Sequence, residues 1–360
     1  IDLAPARKLG QSPLVDGLAF GSASSGYAAL KGKNVLDVGT DDGRFVTNLQ
    51  TPSSFNSSFN AGGAFSSTTG VYAVVASGFL TPGGEDQSNG NDGPSLEFLV
   101  FPISNEVVGS GNFPISNFTD GVALPGAARV QLVHAAAADA FSEVDVALGS
   151  GGGSETLASG LQFRNGTGFV SLPTDRDLSL NISPTSGGGN ALSPTLNVPS
   201  TGDGSIATKV ALVRGGQNNK NAGVATIDAR ESRPGAPAAP NGQLAFNAFH
   251  AATAAPSPVD VSVVNTQSGN ALVGPAPLSY DSGLGINQVP ANSTVLSNGV
   301  VRLAAGADTQ FDFSLSPLSN VQKLGGKFAT FVATDASAGP AQVFAVTEGG
   351  TSADLSLAGN

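Results

Sequence analysis

Two stretches of this chain alternate apolar and polar positions in the same way. The first is Arg129-Val-Gln-Leu-Val-His134, followed across an Ala-rich break by Glu143-Val-Asp145-Val-Ala-Leu148. The second is Gln243-Leu-Ala-Phe-Asn-Ala-Phe-His250, followed after Pro258 by Val259-Asp260-Val-Ser-Val263. A two-residue period over runs this short predicts β-strands, so each stretch reads as strand, turn, strand. In both copies a His closes the first strand and Val-Asp-Val opens the second. The chain begins Ile1-Asp2-Leu3, which matches Val-Asp-Val with no His strand before it.

The repetition continues beyond these strands, and repetition of this kind sets the architecture. Gly17-Leu-Ala-Phe20 and Gly26-Tyr27-Ala-Ala-Leu30 parallel Gly160-Leu-Gln-Phe163 and Gly168-Phe169-Val-Ser-Leu172. Pro277-Leu-Ser-Tyr280 with Gly285, Ile286 and Val289 is a looser copy. Late in each unit comes an apolar strand: Tyr72–Ala76, Lys209–Val213 and Phe328–Ala333. A last strand closes each unit: Leu96–Phe101, Val224–Ile227 and Gln342–Val346.

The pattern predicts an all-β chain of three tandem antiparallel β-sandwich, Ig-like domains. Residues 1–105 form a first domain that lacks its opening strand, and 106–127 connect it to the second, 128–230. Residues 231–242, with Pro234, Pro237 and Pro240, read as a semi-stiff linker. The third domain spans 243–350, and 351–360 form a C-terminal tail. Asp41-Asp42-Gly43 reads as a tight hairpin turn. Phe55, Phe59 and Phe65 punctuate a polar segment that is expected to pack on something. The connection carries an echo, Phe101-Pro-Ile-Ser-Asn105 and Phe113-Pro-Ile-Ser-Asn117, so part of Asn105–Asp120 is expected to be extended and packed on unit one.

These motifs resemble a bacterial secreted family catalogued as domain of unknown function 4397. Val133-His134-Ala135 with Val144-Asp145-Val146 carries the resemblance best, and Phe249-His250-Ala251 with Val259-Asp260-Val261 follows closely. Two departures stand out: the middle unit has Phe169 where the family has Tyr, and the first lacks its opening strand. The resemblance implies an extracellular β-sandwich and no chemistry.

Composition narrows the function classes. Apolar residues make up 40% and charged residues 12%, about half the usual charged share. The 48 Gly and 22 Pro suit short strands and many turns. Cys, Met and Trp are absent, which excludes disulfides, thiolate metal sites and a Cys nucleophile. A chain without Met reads as processed, with a signal peptide removed and an extracellular or cell-surface location. The net charge of −11 disfavours nucleic acid, and no stretch is long and apolar enough for a membrane-spanning helix.

His134 and His250 are the only histidines. As general bases they would need Asp139, Glu143, Asp145 or Asp260 as partners. As structural groups they would mark strand ends, each imidazole satisfied by nearby backbone. Unit one lacks the His, which favours the structural reading, and His134, Asp145, His250 and Asp260 are taken as repeat-motif residues. Substitution of either histidine by Ala is expected to lower stability modestly and abolish no reaction. Glu85, Asp86, Asn89, Asn91 and Asp92 gather oxygen ligands in one loop, but the spacing is not that of an EF-hand and a solvated turn is the preferred reading. Asn56, Asn117, Asn165, Asn181 and Asn292 match the glycosylation pattern. No catalytic, cofactor-binding or metal-binding residue is assigned, and no cofactor is expected.

The expected function is a non-enzymatic extracellular structural protein, a self-assembling subunit of a surface filament or layer. A missing first strand leaves a sheet edge that recruits another strand. The tail alternates Ala353, Leu355 and Leu357 with polar residues and is a candidate donor to unit one of the next chain, where Ile1 and Leu3 would meet it; an intramolecular donor, the Asn105–Asp120 connection, is the alternative. The alternatives are a monomeric adhesin or carbohydrate-binding module contacting surface glycans, and, behind these, a secreted hydrolase.

Overall fold

The computed structural model describes residues 2–5, 18–19, 22–24, 35–39, 45–50, 71–77, 97–103, 122–123, 127–137, 141–149, 155–175, 177–186, 191–201, 206–215, 222–232, 237–306, 309–321, 324–335 and 341–358. Among them the chain is almost wholly β. Unit one holds β1 (Asp2–Pro5), β2 (Val35–Gly39) and β3 (Phe45–Gln50) in one sheet of that order. Its second sheet holds β4 (Val71–Ser77), β5 (Glu97–Ile103) and β6 (Val122–Ala123), also in that order. β2 and β3 are antiparallel neighbours across the expected Asp41–Gly43 turn, which lies outside the described residues.

Unit two contains β7 (Ala128–Ala136), β8 (Glu143–Gly149), β9 (Glu155–Gln162), β10 (Gly166–Leu172) and β11 (Asp177–Pro184). It continues with β12 (Thr195–Asn197), β13 (Thr208–Gly215) and β14 (Gly223–Asp228). An outer sheet runs β9-β8-β11-β12 and an inner sheet β10-β7-β13-β14. Alternation is visible on β8, where Val144, Val146 and Leu148 are buried between less buried neighbours. These residues face Val130, Leu132, Ala211 and Val213 of the inner sheet to make the sandwich core. Burial of each Val or Leu contributes about 1.5–3 kcal/mol, which is what holds two sheets of short strands together.

Unit three repeats the plan with β15 (Gln243–His250), β16 (Val259–Asn265), β17 (Ala271–Leu278) and β18 (Gly283–Pro290). After the helix α1 (Ser293–Asn298) come β19 (Gly299–Ala305), β20 (Thr309–Ser314), β21 (Phe328–Thr334), β22 (Gln342–Thr347) and β23 (Ser352–Leu355). The outer sheet is β17-β16-β19-β20 and the inner sheet β18-β15-β21-β22-β23. Apart from β23, each strand of unit three has its counterpart in unit two at the same place in the same sheet. In both units the first strand pairs in parallel with the seventh, β7 with β13 and β15 with β21, and the other ladders are antiparallel. The chain reaches that seventh strand by a crossover through the outer sheet, which permits parallel pairing where a hairpin would not.

The same correspondence identifies the parts of unit one. β1 pairs with β2 as β8 pairs with β11, and β3 lies beyond β2 as β12 lies beyond β11. β4 and β5 pair as β13 and β14 do.

Units two and three are not beads on a string. β7 is buried at all nine positions, and β21 at all seven. One face of each inner sheet lines its own sandwich. The other face meets the inner sheet of the other unit, burying Val133, Val210 and Leu212 against Phe249, Val332 and Phe344. Four sheets are therefore stacked with three apolar layers between them. The Pro-rich segment expected to act as a linker is part of this body: Ala238 and Ala239 are buried in the middle layer.

The tail also differs from its expected place. Instead of leaving its unit, it forms β23 on the edge of the inner sheet, with Ala353 opposite Ala345 and Leu355 opposite Val343. Leu355 is buried in the core of unit three, and Leu357, 42% exposed, bridges to Phe313. The alternation that would fill a groove on another chain fills one on its own. At the other end, Leu3 pairs with Val38 inside unit one, and Ile1 lies outside the described residues.

Candidate functional site

The chemistry-bearing residues fall into two repeated corners and one buried polar cluster. At the first corner, His134 lies near the end of β7, against the turn after β9. Its N–H donates to the Asn165 carbonyl and its carbonyl accepts from Arg164 N–H, both at 2.8 Å. His250 does the same with Ser282 and Asp281. Arg164 and Asp281 have positive φ, 66° and 61°, which is what lets the chain close so tightly on the strand end. An aromatic ring stands edge-on to each imidazole: Phe163 at 6.0 Å from His134 and Tyr280 at 5.9 Å from His250.

The imidazoles are tied to the loop that follows each strand. His134 Nε2 lies 2.5 Å from the Phe141 carbonyl oxygen, and Ala136 N–H lies 3.3 Å from Nδ1. A carbonyl only accepts and an amide N–H only donates, so the proton sits on Nε2 and the ring is neutral. Burial pushes its pKa down to about 4, against the opposing pull of the Phe141 hydrogen bond. His250 Nε2 reaches the Pro256 carbonyl at 3.0 Å. Its pKa is lowered too, chiefly by burial, with the Pro256 bond and the Asp335 charge acting against the shift. Asp335 is itself engaged, accepting from Thr253 Oγ1 at 2.6 Å and from Ala254 N–H at 2.9 Å. It was not legible in the sequence as part of this corner because it arrives from the far end of β21.

Of the acidic partners considered for the histidines, Asp145 is used elsewhere. Asp145 accepts from Gly160 N–H at 2.8 Å, at a point where Gly160 has φ +60°. That bond fixes the bulged pairing of β8 with β9. Asp260 is exposed on β16. Asp139 and the oxygen-rich loop with Glu85, Asp86, Asn89, Asn91 and Asp92 lie outside the described residues. Among the described residues no group of acidic and His side chains could hold a metal ion. Of the glycosylation matches, Asn292 caps α1 by accepting from Val295 N–H at 2.9 Å, and Asn181 is exposed on β11. Asn165 bonds Ser352, and Asn56 and Asn117 lie outside the described residues.

The third constellation joins unit one to the rest. Arg129 is 5% exposed and forms a two-pronged pair with Glu231, Nε–Oε2 2.8 Å and Nη2–Oε1 2.6 Å. Its Nη1 donates to Ser171 Oγ at 3.0 Å and lies 3.6 Å from Asp37 of β2. Ser171 donates to Asp37 Oδ1 at 2.5 Å and accepts from Asn48 of β3 at 3.0 Å, while Asn48 accepts from Ala127 N–H. The guanidinium also stacks 3.8 Å from the Phe45 ring centre. A buried cation is costly unless paired and hydrogen-bonded, and here both conditions are met by unit one and by the segment after unit two. The sequence signal was only a charged residue inside an apolar strand.

A pseudo-two-fold axis relates units two and three across their common layer. Gln131 Nε2 on β7 donates to the Thr347 carbonyl at the end of β22, at 2.6 Å. Asn247, in the same place on β15, donates to the Asp228 carbonyl at the end of β14. A Cβ on Gly166 would come within 2.5 Å of Val346 Cγ1, and one on Gly283 would collide with Ile227 in the same way. A cleft of about 630 Å³ opens beside this layer, past Ser200, Lys209, Asp228, Glu231 and Ile286. Of its charged groups, Lys209 is paired with Asp228 and Glu231 with Arg129.

No protein-family model and no curated protein matches the chain. Among solved structures, a family 26 carbohydrate-binding module from Eubacterium rectale Amy13K, in complex with maltoheptaose, is similar at 13% identity. The match covers 57% of this chain and 92% of the module, with a TM-score of 0.20, too loose a superposition to relate residue to residue.

Proposed function

We propose that the protein is a non-enzymatic, extracellular structural component, a subunit of a surface filament or layer, that assembles by accepting a β-strand into unit one. The observation that carries this reading is β4. Its counterparts β13 and β21 each sit between two strands, with the unit's first strand in parallel on one side. Among the described residues β4 is paired on one side only, with β5. Consecutive residues on it, Val75 and Ala76, are both exposed. An edge with free N–H and C=O groups and bare apolar flanks is a template for strand addition. The strand that fits runs parallel to β4 and, like β7 and β15, is one that can be buried on both faces. Because β23 is engaged in unit three, the donor is a strand other than the tail. Extracellular placement rests on the family resemblance of the His and Val-Asp-Val motifs. The histidine corners agree with a structural role, since their imidazoles are bonded to backbone.

The test is negative-stain microscopy of the full chain with and without a peptide copying residues 128–136. Ordered multimers that shorten when the peptide is added, and not with its scrambled version, are expected. A chain that stays monomeric at high concentration and ignores the peptide sinks the reading. A carbohydrate-binding role would rest on exposed aromatic platforms. Among the described residues the large apolar side chains standing in solvent are Val75 and Leu357. Specific hits on a glycan array would revive that alternative.

A further inference from the structure

Asparagine followed by glycine is a self-reactive pair, and the fold treats the copies of this pair in the chain differently. The backbone nitrogen of the glycine attacks the side-chain carbonyl carbon of the asparagine. A succinimide ring forms, and the side-chain nitrogen leaves as ammonia. Water from solvent then opens the ring at either carbonyl, giving aspartate or isoaspartate. Glycine favours the step because no Cβ crowds the closing ring. The sequence holds Asn165-Gly166, Asn241-Gly242 and Asn298-Gly299, and also Asn89-Gly90, which lies outside the described residues.

Two of the described pairs are held in place. The Asn165 side chain is bonded to Ser352, and its carbonyl accepts from His134 N–H at 2.8 Å. Gly166 lies in the ladder between β10 and β7, packed so closely that a Cβ would come within 2.5 Å of Val346 Cγ1. Asn298 donates from Nδ2 to the Thr294 carbonyl at 3.0 Å, and its own carbonyl accepts from Thr266 N–H at 2.8 Å. Gly299 is buried at the start of β19. In both pairs the asparagine must break these bonds before it can turn onto the next nitrogen, which is a local opening with its own cost. Asn241-Gly242 is different. Residues 240–243 form a turn closed by Gln243 N–H, which donates to the Pro240 carbonyl at 3.0 Å. Gly242 has φ +79°, which makes the turn type II, and the closing bond uses neither the Asn241 side chain nor Gly242 N–H. Asn241 and Gly242 are both exposed, and a Cβ on Gly242 would meet nothing within 4 Å, so ring and water have room.

We infer that Asn241 is a site of self-modification in the folded protein, converting through a succinimide with Gly242 to aspartate and isoaspartate with release of ammonia. The consequence lies in what the turn holds. It leads into β15, and the backbone around it is pinned. Ala291 N–H donates to the Gly242 carbonyl at 2.8 Å, Gly326 N–H to the Gln243 carbonyl at 2.7 Å, and Ala238 N–H to the Gly326 carbonyl at 2.9 Å. Isoaspartate routes the main chain through the former side chain and lengthens it by one atom. That added atom disturbs the register of these bonds, so the isoaspartyl form loosens the start of β15 and the seat of Ala238 and Ala239 in the middle layer.

The test holds the full chain folded at mildly alkaline pH, where more of the glycine nitrogen is available as nucleophile. Peptide mass mapping then follows each asparagine, with the aspartyl and isoaspartyl products separated by chromatography. Conversion at Asn241 at least about tenfold faster than at Asn165 and Asn298 is expected, because those two must first open locally. In urea the three pairs should convert at similar rates, so that the fold, and not the glycine alone, is what separates them. Asn241→Gln should abolish ammonia release from this turn, since the longer side chain closes its ring far less readily. In the isoaspartyl form, amide exchange at Ala238 and Gly326 should be faster than in the unmodified chain. Asn241 that keeps its amide in the folded chain while the unfolded chain loses it, or that reacts no faster than Asn165 and Asn298, overturns the proposal. Unchanged exchange at Ala238 and Gly326 refutes the loosening.

Discussion

Acidification should destabilise this protein through His134, and the size of the effect follows from its surroundings. The imidazole is buried, neutral, and bonded at both nitrogens to backbone. Burial holds its pKa at about 4 in the fold, whereas the unfolded chain has the ordinary 6.5. The folded pKa lies below the unfolded one, so between these values the unfolded chain binds a proton that the folded chain refuses. Stability from this group is complete above about pH 6.5 and is lost as the pH falls toward 4. A gap of that size corresponds to about 3 kcal/mol, enough to matter in a protein of ordinary stability. His250 acts in the same direction. The assay is urea unfolding followed by far-ultraviolet circular dichroism between pH 7 and 4, for the wild type and His134→Gln. Carboxylates titrate in both proteins, so the difference between the two curves isolates the imidazole. In parallel, the two histidine Cε1–H signals can be titrated in the folded state. If the His134 signal titrates near 6.5 in the native protein, or the two stability curves run parallel, the buried neutral imidazole is not the source.

Two further outcomes are expected. Gly166→Val should clash with Val346 across the middle layer, lowering stability by about 1–3 kcal/mol, and Val346→Ala in the same chain should recover part of it. Full additivity in that double-mutant comparison would show that the two residues do not meet. Leu355→Ala should cost about 2–5 kcal/mol by opening a cavity in unit three, measured by denaturant unfolding, without changing the size of any assembly seen by light scattering. Loss of assembly with unchanged stability would return the tail to the role of donor strand.

The repeated alternation around His134 and His250 was enough to specify strands, their order and the duplication of one unit. Period two is a local property of the chain, and each copy confirms the others. The histidines were legible for the same reason: a polar group recurring at a strand end, and missing from unit one, is one that its own loop can satisfy. What the alternation does not carry is the identity of whatever lies over the second face. Gln131 and Asn247 are the polar members of alternating strands, and both lie in the layer between two units, bonded to carbonyls of the other unit. A polar side chain at such a position is satisfied equally by water or by a neighbouring backbone, and only the stacking of the sheets decides between them. The same holds for Ala353 and Leu355, whose apolar stripe suits any groove of the right register; the nearest one, beside β22, is in their own unit and reached by a short turn at Gly350. Arg129 needed three segments far apart in sequence, carrying Asp37, Ser171 and Glu231, to make its burial affordable. Local pattern thus determined the strands, while long-range packing determined which faces are interior, because hydrophobic burial is indifferent to where along the chain its partner comes from.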